Sequence, residues 1–282
     1  MPRIHGLRSI FFVIVISACS NIAGEKNILA DTIPIPAAKI PSSSNSDSVK
    51  TIHVFVALCD NRYQGIVPVP ASIGNGQDTK NNLYWGAGYG IKAFFGKKST
   101  EWELIVTQVI PVEHILERLL LKHRSKNIFL LADAYDGQYI RQTTVDFLFA
   151  SSGKKEVAME NKGKKIYFGG ASNLIAYVGH DGLMDFSINQ NFEGTSDKKR
   201  EAIILACYSK RFFSPHLEQT GASPLLWSTG LMAPEAYILH DAVNAWINSN
   251  SPEEIRTAAA KAYSKYQKCS LKAAGNLLVT GW

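Results

Sequence analysis

Six runs of mostly apolar residues, each four to seven long, recur along the chain at 52–58, 102–106, 128–132, 174–178, 203–206 and 225–228. Runs of this length without regular polar alternation read as strands buried on both faces, as in a parallel sheet. Between them lie segments predicted to be helices, at 112–123, 138–150 and 234–248, the last with Pro234 at its first turn. An alanine-, lysine- and tyrosine-rich stretch at 252–269 predicts one more helix. The alternation predicts an α/β fold: a three-layer sandwich around a mostly parallel central sheet of about six strands. Residues 102–106 are expected in a short edge strand or a hairpin.

The first 50 residues break this pattern. Arg3 and Arg8 precede a short apolar core at 10–16, which reads as an export signal rather than a membrane span. Its end, Ile16-Ser17-Ala18-Cys19, resembles the bacterial lipobox, so residues 1–18 are expected to be a lipoprotein signal peptide and Cys19 the lipidated first residue of the mature chain. Ser20 is not the aspartate that retains many such proteins in an inner membrane, which points to an outer-membrane lipoprotein facing the periplasm or the cell surface. Residues 36–50 are mostly Pro, Ala, Ser, Asn, Asp and Lys, with little to bury. Residues 19–50 are therefore expected to form a lipid-attached flexible linker and 51–282 the folded domain.

Charge and cysteine content narrow the chemistry. The formal charge is +6, with Arg3 and Arg8 in the signal; the basic clusters at 97–98, 154–155, 162–165 and 198–200 sit in loop-like contexts and read as solvated turns. Without an aromatic and basic platform, nucleic acid is not an expected partner. Of four cysteines, Cys59, Cys207 and Cys269 lie in the domain, with no metal-like clustering. Neither a metal nor a cofactor is expected. A Cys59–Cys269 disulfide would suit an exported protein and leave Cys207 free.

Two apolar runs each end in a reactive side chain: 174–178 is followed by Gly179-His180, and 202–205 by Ala206-Cys207. On neighbouring parallel strands, about 5 Å apart, both would emerge at the carboxyl edge where α/β sheets bind ligands. A thiol and an imidazole there suit a nucleophile and its base. Small residues beside them (Gly179, Gly182 and Ala206) would let a backbone come close to substrate. Taken singly, the cysteine reads equally as a core residue and the histidine as one that satisfies a loop.

The segments LIAYVGHDG and AIILACYS resemble the corresponding blocks of the caspase-like cysteine peptidases, which include caspases, legumains, clostripain, gingipains and separases. The resemblance spans roughly residues 52–246. The Gly-His form and the later LLWSTGLMAPEAY look more like the bacterial gingipain and separase-type members. It implies a caspase-like fold in which Cys207 attacks a peptide carbonyl and His180 protonates the leaving amine. It further implies an oxyanion hole built from the Cys207 N–H with one from Asp181 or Gly182. Two departures stand out. Asp181 occupies the place of the family glycine after the histidine, and 27 positions separate His180 from Cys207, against about 50 in caspases.

The long segment between the first two strands mixes glycine, asparagine and aromatics, and a loop of that length at a strand's carboxyl end usually binds something. It is not a phosphate loop, because no Lys-Ser/Thr follows its glycines. Tyr84, Trp85 and Tyr89 are candidates to line a groove for peptide or sugar, or else to pack on the sheet. The resemblance places the pocket for the substrate side chain near Asp60 and Arg62; Asp60 would favour basic residues and Arg62 acidic ones. Asp133 and Asp136 are candidate supports for His180, and His216 is a rival base. His240 and Asp241 are expected on a helix surface. The expected activity is a membrane-anchored cysteine endopeptidase, a hydrolase acting on peptide or protein substrates, with a preference for cleavage after basic residues. Two alternatives stay open: an inactive caspase-like surface lipoprotein that binds peptide or glycan, and a cysteine-dependent transpeptidase. No oligomeric state is indicated.

Overall fold

The computed structural model describes residues 48–108, 112, 114–194 and 198–282. The signal, Cys19 and nearly all of the linker lie outside them. In chain order the strands are β1 (Lys50–Ala57), β2 (Trp102–Gln108), β3 (Ile115–His123), β4 (Ile128–Tyr135), β5 (Val157–Asn161), β6 (Lys164–Phe168), β7 (Leu174–Val178), β8 (Glu201–Leu205), β9 (Ser223–Ser228) and β10 (Leu278–Val279). The helices are α1 (Ile91–Ala93), which runs into a π-helical turn at Phe94–Lys98, α2 (Ile140–Ser151), α3 (Ser209–Thr220), α4 (Ala236–Ile247), α5 (Pro252–Gln267) and α6 (Leu271–Leu277).

Eight strands make one sheet in the order β10-β9-β8-β7-β1-β4-β3-β2. The pairings β4-β1-β7-β8-β9 are parallel; β3 and β2 extend one edge, and β10 the other, by antiparallel pairing. Side-chain alternation along the central strands builds two cores. Val54, Val56, Ala176, Val178, Ile203 and Leu205 face α4 and α5, whereas Phe55, Tyr177 and Ile204 face α2 and α3. The sheet is therefore covered by helices on both faces, as the unbroken apolar runs require. No described helix is long and apolar enough to cross a membrane.

The largest departure from expectation is at 112–123, where the helical spacing predicts a helix and the chain forms β3 instead. Leu119 and Leu121 fill the main core, while Leu120 faces the small β5–β6 hairpin together with Phe129, Leu131, Met159 and Phe168. Both faces of β3 are thus covered, so Leu119, Leu120 and Leu121 are buried whatever their period. Tertiary pairing with β4 across the polar turn 124–127 outweighs local propensity. The β5–β6 hairpin is a further addition to the expected elements, although its turn residues Lys162 and Gly163 both take the positive φ that a tight hairpin turn needs. A smaller correction concerns Pro234, which precedes the N-cap Glu235 rather than sitting in the first turn of α4. At α5 Pro252 does open the helix, behind a Ser251–Glu254 capping box. Among the described residues no disulfide joins Cys59 to Cys269.

Candidate active site

Register brings the two reactive residues together. Val178 of β7 pairs with Leu205 of β8, and His180 and Cys207 each lie two residues beyond that pair. Two residues restore side-chain parity, so each continues the face of the sheet on which Val178 and Leu205 meet α4 and α5. Both line one open cleft of about 360 Å³. Its walls come from the loop after β1 (Gly65, Ile66, Val67 and Tyr84), from Met184 beyond β7, and from Leu231, Met232 and Ala233 beyond β9. Tyr263 and Gln267 of α5 complete it.

Each residue is held by its own short turn. After β7, Gly179 has φ near +149°, and a β-carbon there would lie 2.7 Å from the Ala57 carbonyl oxygen. Its lack of a side chain therefore serves the approach of β7 to β1, not an approach of substrate. His180 is almost fully buried, its carbonyl accepts from the Tyr177 hydroxyl at 2.8 Å, and its Nε2 lies 2.7 Å from Asp185 Oδ2. The same oxygen accepts from the Gly65 N–H at 2.9 Å, which ties the loop after β1 to the histidine's partner. With Nε2 taken by Asp185, Nδ1 is the ring nitrogen left for proton transfer.

After β8 the chain turns through Tyr208, a non-glycine residue in the left-handed region (φ 50°, ψ 29°), directly into α3. Such a conformation costs on the order of 1–3 kcal/mol and persists only where its surroundings fix it. Two fully buried serines do so: Ser209 Oγ donates to the Ile204 carbonyl at 2.9 Å and accepts from Ser228 N at 2.9 Å, while Ser228 Oγ donates to the Ala206 carbonyl. The Cys207 sulfur is clasped by the loop after β9, donating to Met232 O at 3.5 Å and accepting from Met232 N at 3.4 Å. Burial pushes the Cys207 thiol up, the Met232 N–H opposes that rise, and Asp181 adds to it. The resting sulfur is a thiol.

Asp181 is turned away from the cleft. Its side chain is fully buried, Oδ1 caps the following turn by accepting from Leu183 N at 3.0 Å, and Oδ2 has no hydrogen-bond partner. Burial pushes its carboxyl up to about 7. Neither Asp181 nor Gly182 is among the residues that line the cleft. Nor are Asp60, Arg62 and Trp85. The Asp60 carboxylate accepts from the backbone N–H groups of Arg62, Tyr63 and Gly76, and so organises the loop itself. Arg62 lies exposed over the Tyr63 ring. Trp85 is fully buried, with Nε1 donating to Glu117 Oε2 at 2.6 Å, and Tyr89 packs edge-on against Tyr237 and Tyr266. The aromatic residue of this loop that reaches the cleft is Tyr84.

The other polar candidates lie elsewhere. Asp133 binds His53 and Arg118, and Asp136 caps the turn at Gly137. His216 packs on Phe192, and His240 packs against Phe94 and Phe95 while bonding to Ser99 and Asp241. The carboxylate that meets His180 is Asp185, whose only sequence cue is its closeness in the segment GHDGLMD. The serine pair and the Met232 clasp have no cue in the sequence, because each joins segments about 20 residues or more apart. Among the described residues no cluster of side chains is suited to hold a metal ion. Comparison with protein-family models, with curated proteins and with solved structures finds no match for this chain.

Proposed function

We propose that this chain is a cysteine peptidase in which Cys207 is the nucleophile, His180 the proton carrier and Asp185 the group that orients the imidazole. The observation that carries the reading is the matched register of His180 and Cys207 at the ends of adjacent parallel strands, both on the wall of one cleft, with a carboxylate on the imidazole. The resemblance implies two strands before the histidine strand; four strands of the sheet precede it here, β1 and β4 parallel to it and β2 and β3 added at the edge.

The chemistry derives from these positions. As Sγ bonds to the carbonyl carbon of the substrate, its proton passes to His180 Nδ1. The C–N bond then breaks and that proton leaves with the amine, giving a thioester. Water adds to the thioester, a proton returns through His180 to sulfur as the C–S bond breaks, and the acid departs. The N-terminus of α3, two residues beyond Cys207, favours negative charge on sulfur while the bond forms. The Cys207 N–H would hold the oxyanion, a donor of this kind contributing about 3 kcal/mol; Asp181 and Gly182, which the resemblance implies as the second donor, do not line the cleft. The signal and lipobox support an activity at the cell envelope, on a lipid anchor at Cys19.

A second reading, an inactive relative that binds peptide in the same cleft, is favoured by the buried Asp181 that stands where the family has glycine. Incubation with a panel of peptides bearing thiol-reactive groups separates the two. Labelling of the parent protein and not of Cys207→Ala supports the peptidase, whereas binding without labelling by any peptide overturns it. Transfer of the acyl group to an added amine in preference to water would mark the enzyme as a transpeptidase.

A further inference from the structure

The cleft beside Cys207 has a chemical character that the reactive pair alone does not dictate. None of the residues lining it is Asp, Glu, Lys or Arg. Three of the exposed large apolar side chains among the described residues, Val67 at 71%, Leu231 at 47% and Met184 at 40%, all lie on its walls. Single exposed apolar residues are ordinary on a protein surface, but several converging on one concavity mark a place where apolar groups dock. They come from three different segments, the loops after β1, β7 and β9, so the clustering is a product of the fold and not of one apolar stretch.

The carboxylates on the segments that build the cleft are either engaged or, for Asp181, buried outside its lining. Asp60 is held by three backbone N–H groups, and Asp185 by His180 and Gly65. Glu235, just beyond the loop that bears Leu231, accepts from the Tyr237 hydroxyl at 2.8 Å and from Gln267 Nε2 at 3.2 Å, and burial pushes its pKa up. Tyr84 at the cleft wall is kept neutral by burial, which raises its pKa well above the usual value. A guanidinium or carboxylate entering here would lose water and gain no counter-ion, whereas a large apolar side chain would exchange water for the walls.

We infer that the cleft selects substrates by a large uncharged side chain, aliphatic or aromatic, next to the bond that Cys207 attacks, through contact with Leu231, Met184 and Val67. This rests on Cys207 being the nucleophile. The expectation from Asp60 of cleavage after basic residues gives way, in this proposal, to cleavage after apolar ones.

The test uses one peptide scaffold ending in an acyloxymethyl ketone, with Leu, Phe, Met, Arg or Asp next to the reactive group. In each, sulfur displaces the acyloxy group as a carboxylate and forms a thioether. The Leu, Phe and Met probes are expected to label the parent protein at Cys207 roughly 10- to 100-fold faster than the Arg and Asp probes, the range of discrimination an apolar pocket supplies. Leu231→Asp, at an exposed position, is expected to slow the Leu probe and to speed the Arg probe. Arg or Asp probes that label as fast as the apolar ones, or a Leu231→Asp variant with unchanged selectivity, would overturn the specificity while leaving the peptidase standing. No labelling by any probe would overturn the peptidase itself.

Discussion

Two strands of the central sheet end almost alike in sequence: VFVALCD closes β1 and AIILACY closes β8, and each carries an apolar run into a cysteine. Their surroundings make them chemically opposite. Cys59 is fully buried, its backbone N–H and carbonyl are both bonded to the Asn82 amide, and burial pushes its thiol up to about 12. Cys207 lies half-buried on a cleft wall, next to a helix N-terminus, in the same cleft that the His180 imidazole lines. The difference comes from the segment after each cysteine. The long loop after β1 folds back over its own thiol, whereas the tight turn at Tyr208 leaves Cys207 at the edge of the sheet. The histidines repeat the contrast. His53 lies within β1, paired with Asp133 beside Arg118 and closed off from solvent, while His180 lies beyond the end of β7 with Asp185 and faces the cleft. The same pair of side chains is a structural tie in one place and a candidate catalytic device in the other.

Breaking each half separately sharpens the comparison. The largest effect is expected for Cys207→Ala, which should abolish turnover and probe labelling, with intact-mass spectrometry showing no adduct. Cys59→Ala should keep turnover within about 2-fold, and in the parent protein iodoacetamide should reach Cys59 only after denaturation, since reactivity follows thiolate character and exposure. Next comes Asp133→Ala, which leaves Arg118 and His53 without their buried carboxylate and should cost roughly 3–5 kcal/mol in urea unfolding. Asp185→Asn should instead spare most of the stability and lower kcat roughly 10- to 100-fold, part of the ~10²–10⁴ that a positioned acid–base group contributes.

The carboxylates next to these reactive residues differ too. Asp60, after Cys59, has three backbone donors; Asp181, after His180, has one donor and an unpartnered oxygen. Between about pH 4, where an unfolded carboxyl titrates, and about 7, the folded protein holds a proton on Asp181 that the unfolded chain has released. Stability linked to this group therefore falls as pH rises through that window, by at most about 1.4 kcal/mol per pH unit, and levels off above it. Asp181→Asn should remove this dependence. Its Tm advantage over the parent should be smallest near pH 4 and largest above pH 7, and an advantage that does not vary with pH would count against a neutral buried carboxyl.

The legible parts of the fold were those where burial and period agree. The apolar runs of β1, β4, β7, β8 and β9, the spacing of α2 and α4 and the alanine-, lysine- and tyrosine-rich composition of α5 marked those elements, with errors at their ends only. At 112–123 the same leucine-rich spacing suits a helix or a strand covered on both faces, and only the β5–β6 hairpin and β4 decide between them. The site divides in the same way. His180 and Cys207 stood out because each closes an apolar run. Asp185, Met232 and the Ser209–Ser228 pair did not, because ordinary residues acquire those positions through turns and long-range packing.

The chain by itself therefore determined a mostly parallel sheet between helical layers and the placement of a thiol and an imidazole at strand ends, because apolar periodicity and strand termination are local properties. Register, and with it the alignment of those two residues, was decided by the tertiary structure. So were the burial of Cys59, the inward turn of Asp181 and the uncharged walls of the cleft. Each depends on which distant segment supplies the covering surface, and that is a matter of packing between elements rather than of any stretch of residues.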